Sequence, residues 1–386
     1  MVLKIETTKA LKSFCSEIKK QPFIAVDTEF VRQKTYRAIL CLIQIASPNG
    51  LSACIDPLSE ELDLGPLLKI MKDKKIIKVF HSARQDLEIF YELMKNLPKP
   101  LFDTQVAAMV CGLGENVSYH NIVHHYLNLD LDKSSRATDW RARPLTEKQL
   151  DYAVADVTHL VKVYEKIIQE LKQKNRNNWV DDEMNALLNT DLYAANPMDM
   201  WKRLKPASTK PEYLAVLQAL CAWREKKAVK INRPRPHILR DEVILDLAAL
   251  SPTSLKDFDH LRSKKEFPPK HEYALEVIKV IKKALALPEG KMPHLEKEKT
   301  LTPDQHSVKE ILKLLLCVVS DQIKVAPKII ASSEELSFLA REEKPNIRAM
   351  SGWRYDVFGK KAIAFKNGKL SLSFDPQTKQ VFFSEK

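Results

Sequence analysis

Asp27 and Glu29 stand two residues apart, directly after the apolar run Phe23-Ile24-Ala25-Val26. In a strand, side chains alternate faces with a period of two, so both carboxylates project to one side. Two like charges held that close repel unless a cation lies between them, and oxygen donors suit Mg²⁺ or Mn²⁺. The same pair also fits a strand end emerging into solvent. A third acid, Asp86, follows the strand-like KIIKVF and falls in the first turns of a helix. An acid there also suits an ordinary helix start. Tyr152 and Asp156 have the i, i+4 spacing that puts two side chains on one helical face. The phenol can hold a water while the carboxylate holds a metal.

The elements that would carry these residues alternate. Residues 7–20 read as an amphipathic helix, and 23–31, 39–47 and 51–56 as three strands with no room for a helix between them. An antiparallel meander is expected. Helix follows at 58–73, strand at 75–80 and helix at 83–95. A brief strand ends at Asp103-Thr104, which caps another helix. Helices at 118–127 and 146–174 complete an α/β region, a mixed sheet flanked by helices and compatible with a ribonuclease-H-like core.

Beyond residue 200 strand signals vanish for a long stretch. Residues 205–211 and the segment holding Pro288, Gly290, Pro293 and Pro303 read as linkers. Expected domains are 1–204, 205–290 and 291–386, the last two mainly α-helical. The final stretch, 361–383, alternates apolar and polar residues, and Asn367-Gly368 and Asp375-Pro376 predict short β-hairpins.

Net charge is +12 and unevenly placed. Residues 1–200 hold 26 Lys+Arg against 27 Asp+Glu, a net of −1; residues 201–386 hold 36 against 23, a net of +13. A basic half beside a near-neutral one suits a polyanion such as nucleic acid, though a solvated lysine-rich surface gives the same balance. The six cysteines form no CxxC pair, which disfavours a thiolate zinc site and fits reduced thiols in a cytosolic protein. No signal peptide and no run long enough to cross a bilayer is apparent.

Taken together, DxE on the first long strand, Asp86 after a later strand and YxxxD on a following helix resemble the tyrosine-bearing branch of the DEDD exonucleases. The words AVDTEFVRQKTY, LCLIQIA, VFHSARQDLEIF, LFDTQVAAMVCG and DWRARPLTEKQLDYAVADVTHL resemble the ribonuclease D family, densely over residues 20–170. The resemblance implies two-metal phosphodiester hydrolysis from the 3′ end, releasing nucleoside 5′-monophosphates. One ion would be held by Asp27, Glu29 and Asp156, the other by Asp27 and, directly or through water, Asp86. Tyr152 would orient the attacking water. A phenol titrating near 10 suits positioning better than strong base catalysis.

Several neighbours have further roles open. The Thr28 backbone N–H could meet the terminal ribose. Gln44, a buried amide in an apolar strand, needs a partner in substrate or backbone. His81 could reach RNA, or serve as a capping or core histidine. Trp140 and Arg141 could approach the nucleotide by stacking and charge, or form a packed loop. His120 and His124 have ligand-like helical spacing, beside His125, but lack the glutamate of an HExxH site and read as a helix face.

Residues 212–285 resemble the HRDC domain through Trp223-Arg224, Asn232–Arg235 and Ile238–Asp241. Lys230, Arg233 and Arg235 form a candidate RNA-backbone clamp or a solvated basic loop. Residues 304–386 look like a second, divergent HRDC domain, with GWRYDVFGKKAIAF as its family-like part. The implied substrates are transfer-RNA precursors and other small structured RNAs, handled by a cytoplasmic monomer. A DNA-directed exonuclease would use identical chemistry. A catalytically silent nucleic-acid adaptor is disfavoured because all four acids and Tyr152 are present.

Overall fold

Strand and helix periods of the sequence become one sheet and its covering helices. The computed structural model describes residues 2–132, 138–194, 196–295, 300–343 and 345–385. Along the first part run β1 (Leu3–Ile5), α1 (Thr8–Ile18), β2 (Phe23–Val31), β3 (Ile39–Ala46), β4 (Ser52–Ile55), α2 (Gly65–Lys72), β5 (Ile77–Phe80), α3 (Arg84–Met94) and β6 (Leu101–Asp103). After these come α4 (Thr104–Cys111), α5 (Tyr119–Leu127), α6 (Glu147–Gln173) and α7 (Asp181–Leu187). The six strands lie in the order β1-β4-β3-β2-β5-β6. β3 and β4 are antiparallel, as short connections require, whereas β5 runs parallel to both β2 and β6. β2 thus lies inside the sheet, and its first residues, Phe23–Val26, are buried. Helix α2 starts only at Gly65, later than periodicity suggests, because Pro66 is best placed in a first turn.

The second part contains α8 (Pro211–Ile231), α9 (Arg235–Ile238), α10 (Asp241–Leu250) and α11 (Ala274–Leu285). The last part contains α12 (Pro303–Ile323), α13 (Pro327–Ile330), α14 (Ser333–Arg341), α15 (Gly352–Arg354) and α16 (Lys360–Lys366), then β7 (Leu370–Asp375) and β8 (Gln380–Glu385). No helix among the described residues is long and apolar enough to cross a membrane.

Two compact units result. The first comprises Met1–Thr28, Leu42–Leu188 and Lys299–Lys386. Its core joins Val110, Val161 and Ile167 to Leu312, Leu316 and Ile330, so the final segment shares one interior with the sheet's helices. Gly112, with φ +95°, lets the chain pass Lys324: a Cβ there would lie 2.5 Å from the Lys324 carbonyl oxygen. The indoles of Trp179 and Trp353 stack at 4.1 Å. The second unit comprises Glu29–Cys41 and Asn189–Glu298. Its core gathers Leu214, Leu217, Ile244, Phe258 and Ile281. The β2–β3 connection belongs to it: Tyr36 donates to the Glu225 carboxylate, and the Arg37 N–H donates to Asn232 Oδ1 at 3.0 Å.

The tail departs from expectation. Residues 360–366 are helical, and one hairpin follows, turning at Asp375-Pro376. Asn367-Gly368 stops a helix instead. Gly368 N–H donates to Phe365 and Lys369 N–H to Ala364, with Gly368 at φ +72°, the left-handed closure of a helix C-terminus.

Candidate active site

Strand β2 delivers the first two acids by its alternation. Asp27, Glu29 and Asp156 each place a carboxylate oxygen within 4.8 Å of the others. Among the described residues this is the one cluster of His, Cys, Asp or Glu compact enough to share an ion. Desolvation raises the Asp27 carboxyl from 3.8 to about 6, against the lowering effect of the Thr28 backbone N–H. Clustered acids in low dielectric resist ionisation together, and an all-oxygen donor set that resists it fits a hard divalent cation.

Asp86 is adjacent but turned aside. It is buried in the first turn of α3, and its Oδ1 accepts from the Thr28 hydroxyl at 2.5 Å. Burial first, then the charge of Asp27, pushes its carboxyl well above the ordinary range. Thr28 therefore contributes its side chain to the opposite face of β2, where it holds the fourth acid.

Three supports were not foreseen. Asp103 caps α4, as expected, through Gln105 N–H at 2.8 Å. Its carboxylate also accepts from Ser82 N–H at 3.0 Å and Ala83 N–H at 2.8 Å, fixing the loop that launches α3. Tyr119, on α5, donates its hydroxyl to the backbone carbonyl of Asp156. Burial and the charges of Asp156 and Asp27 raise its phenol well above 10, so it stays a neutral donor. Arg143 grips the buried Asp56 at 2.6 and 2.7 Å and donates to the Trp140 carbonyl at 2.8 Å, anchoring the loop before α6. An arginine three residues from Trp140 was the available signal; its partner lies 87 residues away.

Other expected residues divide. Trp140 is only 3% exposed and packs 6.2 Å from the Tyr152 ring, so its face is covered and cannot stack a base. Arg141 is exposed, with Asp139 Oδ1 at 3.8 Å. Gln44 is fully buried, and its amide finds no partner among the described residues. His81 places Nδ1 3.0 Å from the Thr104 hydroxyl and packs on Tyr119, an internal role; burial lowers its pKa. Asp130 approaches His124 at 3.2 Å and His120 at 3.7 Å, yet these three do not form an ion-sized group. Lys230 and Arg233 are exposed. Arg235 is not a free clamp: its guanidinium donates to Glu225 at 2.7 Å and lies over the Tyr36 ring. Arg224, within the HRDC-like words, is buried and bonded to Asp241 at 2.7 Å. Five cysteines are buried and Cys317 is exposed, all as free thiols.

A mixed sheet with a carboxylate cluster on its inner strand and on the following long helix defines a 3′-5′ exonuclease. The 3′-5′ exonuclease family matches residues 2–172, and the HRDC domain family matches 213–281. The chain is 43% identical to ribonuclease D of Bartonella henselae over 96% of this chain and 92% of that one. It is 40% identical to ribonuclease D of Granulibacter bethesdensis, covering 96% and 94%. The crystal structure of Escherichia coli RNase D, described as an exoribonuclease involved in structured RNA processing, superposes with a TM-score of 0.81 at 31% identity, covering 95% of this chain and 99% of that one. This chain belongs to the ribonuclease D family. It is a hydrolytic exoribonuclease, and membership of that family implies use of divalent metal.

Proposed function

We propose that this exoribonuclease trims the 3′ ends of transfer-RNA precursors and other small structured RNAs in the cytoplasm, as a monomer with two divalent ions, Mg²⁺ or Mn²⁺. The observation that carries the catalytic assignment is the convergence of Asp27, Glu29 and Asp156 within 4.8 Å. Asp27, Glu29 and Asp156 would hold one ion, and Asp27 with Asp86 the other. Bound ions would activate water and neutralise charge on the leaving 3′-oxygen. Tyr152, one helical turn before Asp156, orients the water by hydrogen bond. Tyr119 holds the backbone from which Asp156 projects. Asp86, whose carboxyl feels the charge of Asp27, would have to exchange its Thr28 hydrogen bond for an ion to take part. Each cycle frees a nucleoside 5′-monophosphate. Arg141, Lys230 and Arg233, each exposed, would meet phosphates of the RNA, while the Thr28 N–H, engaged with the Asp27 carboxyl, would have to exchange that bond to meet the terminal ribose.

The test is a 3′-extended transfer RNA incubated with Mg²⁺, Mn²⁺ or chelator, with 5′-mononucleotide release followed. Activity should require the ion, and Asp27→Ala should abolish it while leaving the fold intact. Normal trimming by that variant would overturn the site.

A further inference from the structure

The second unit contains an open cavity of about 520 Å³ beside the β2–β3 connection. Four of its walls are arginines: Arg32, Arg203, Arg224 and Arg235. Against them stand Asp241, which lines it too, and Glu225 behind Arg235. Two positive charges remain in excess among these groups. The pairs give the cleft a fixed frame. Arg224 is clamped between Asp241 and the Leu239 carbonyl, and Arg235 between Glu225 and the Tyr36 ring.

Arg203 differs from those two. It is exposed and makes no direct salt bridge among the described residues, although its charge helps hold the nearby Glu225 carboxyl low. It ends a turn, Pro197–Arg203, whose Met200 and Trp201 are buried in the core, so its backbone is held while its head group is free to meet a ligand. Gln33 and Thr35 add neutral hydrogen-bonding groups to the wall. Arg32 begins three residues after Glu29. A chain spans at most ~3.6 Å per residue, so the Arg32 Cα lies within roughly 11 Å of that acid's Cα.

We propose that this cleft binds a backbone phosphodiester of the single-stranded RNA tail, a few nucleotides upstream of the end being removed, with Arg203 as its principal cation. A planar guanidinium among neutral donors suits a phosphate, and a volume of this size accommodates a nucleotide unit. A guanidinium contact to a phosphodiester carries no base information, so binding through Arg203 is sequence-tolerant. The inference rests on the chain acting on RNA, but its test does not depend on catalysis.

Equilibrium binding of a single-stranded RNA about twelve nucleotides long, in chelator so that no cleavage occurs, reads the cleft directly. Arg203→Gln should weaken binding several-fold and reduce the slope of log affinity against log salt by roughly 0.7, one phosphate contact on a single strand. Arg203→Lys should retain most of the affinity and the slope. Wild-type binding by Arg203→Gln, or equal losses in both variants with no change in slope, would overturn the proposal. Hydrolysis of the same oligomer by the wild-type protein in Mn²⁺ reads the catalytic assignment separately.

Discussion

The Thr28 hydroxyl donates to Asp86 Oδ1 at 2.5 Å, so the residue between the two β2 acids holds a third acid from another element. A hydrogen bond to a charged group contributes about 1.5–3 kcal/mol. Within Asp86's desolvated surroundings this bond favours the ionised form. Thr28→Val keeps the shape and removes the donor. The expected result is a kcat/KM about tenfold lower near pH 6, with the acid limb of the pH–rate profile moved to higher pH. Thr28→Ser should restore the limb. Superimposable profiles for wild type and valine variant would show that Thr28 does not tune Asp86.

Asp27 connects the site to stability. Its folded pKa of about 6 exceeds the ordinary carboxyl value of 3.8, so the protonated carboxyl favours the folded state. That contribution is complete below about 3.8 and is lost as pH rises through about 6. In chelator, the contribution of Asp27 to the melting temperature should therefore fall between about pH 5 and about pH 7. Mn²⁺ should reverse the fall, with a larger gain at the higher pH because ligands must shed protons to bind it. Asp27→Asn should flatten the chelator series relative to wild type and remove most of the Mn²⁺ gain. Equal Mn²⁺ stabilisation at both pH values would count against ionisation of this cluster as the controlling step.

Tyr119 acts through the backbone of Asp156, and its phenol stays protonated. Tyr119→Phe should cost about 0.5–1.5 kcal/mol of stability. If the hydroxyl fixes where Asp156 points, kcat should fall about tenfold with KM little changed, since small misplacements of catalytic groups are costly. A lower melting temperature with an unaltered kcat would reduce the hydroxyl to a packing role.

What the sequence discloses here is local. Alternation along residues 23–31 places Asp27 and Glu29 together, and the i, i+4 rule does the same for Tyr152 and Asp156. The Asp103 cap follows from its position before an apolar helix. The rest depends on contacts between distant segments. Asp103 also grips Ser82 and Ala83, 21 and 20 residues earlier, and Tyr119 reaches Asp156 37 residues on. Arg235 reads as a basic loop residue because its partners, Glu225 and Tyr36, come from another helix and from the β2–β3 connection. Trp140 reads equally as a stacking platform or a packed loop residue, because exposure is a property of the fold. Asn367-Gly368 is a left-handed dipeptide in either a hairpin or a helix stop; the helix before it decides which.

The final segment bears on how far the nuclease is self-sufficient. Arg354 is 1% exposed and donates to Asp182 at 2.7 Å, Glu183 at 2.8 Å and the Ile329 carbonyl at 2.8 Å. Trp353 beside it stacks on Trp179, and the core beneath draws on both α6 and α12. Removing one partner of a buried ion pair typically costs about 3–5 kcal/mol. Asp182 is largely exposed and Arg348 also reaches Glu183, at 2.5 Å, which soften the loss, so Arg354→Met should lower stability by about 2 kcal/mol in urea unfolding. A chain ending at residue 298 would leave the apolar faces of α4 and α6 uncovered, and it should lack a cooperative melt. If that shortened chain unfolds cooperatively and retains nucleotide release, residues 299–386 are an appendage to the nuclease rather than part of its interior.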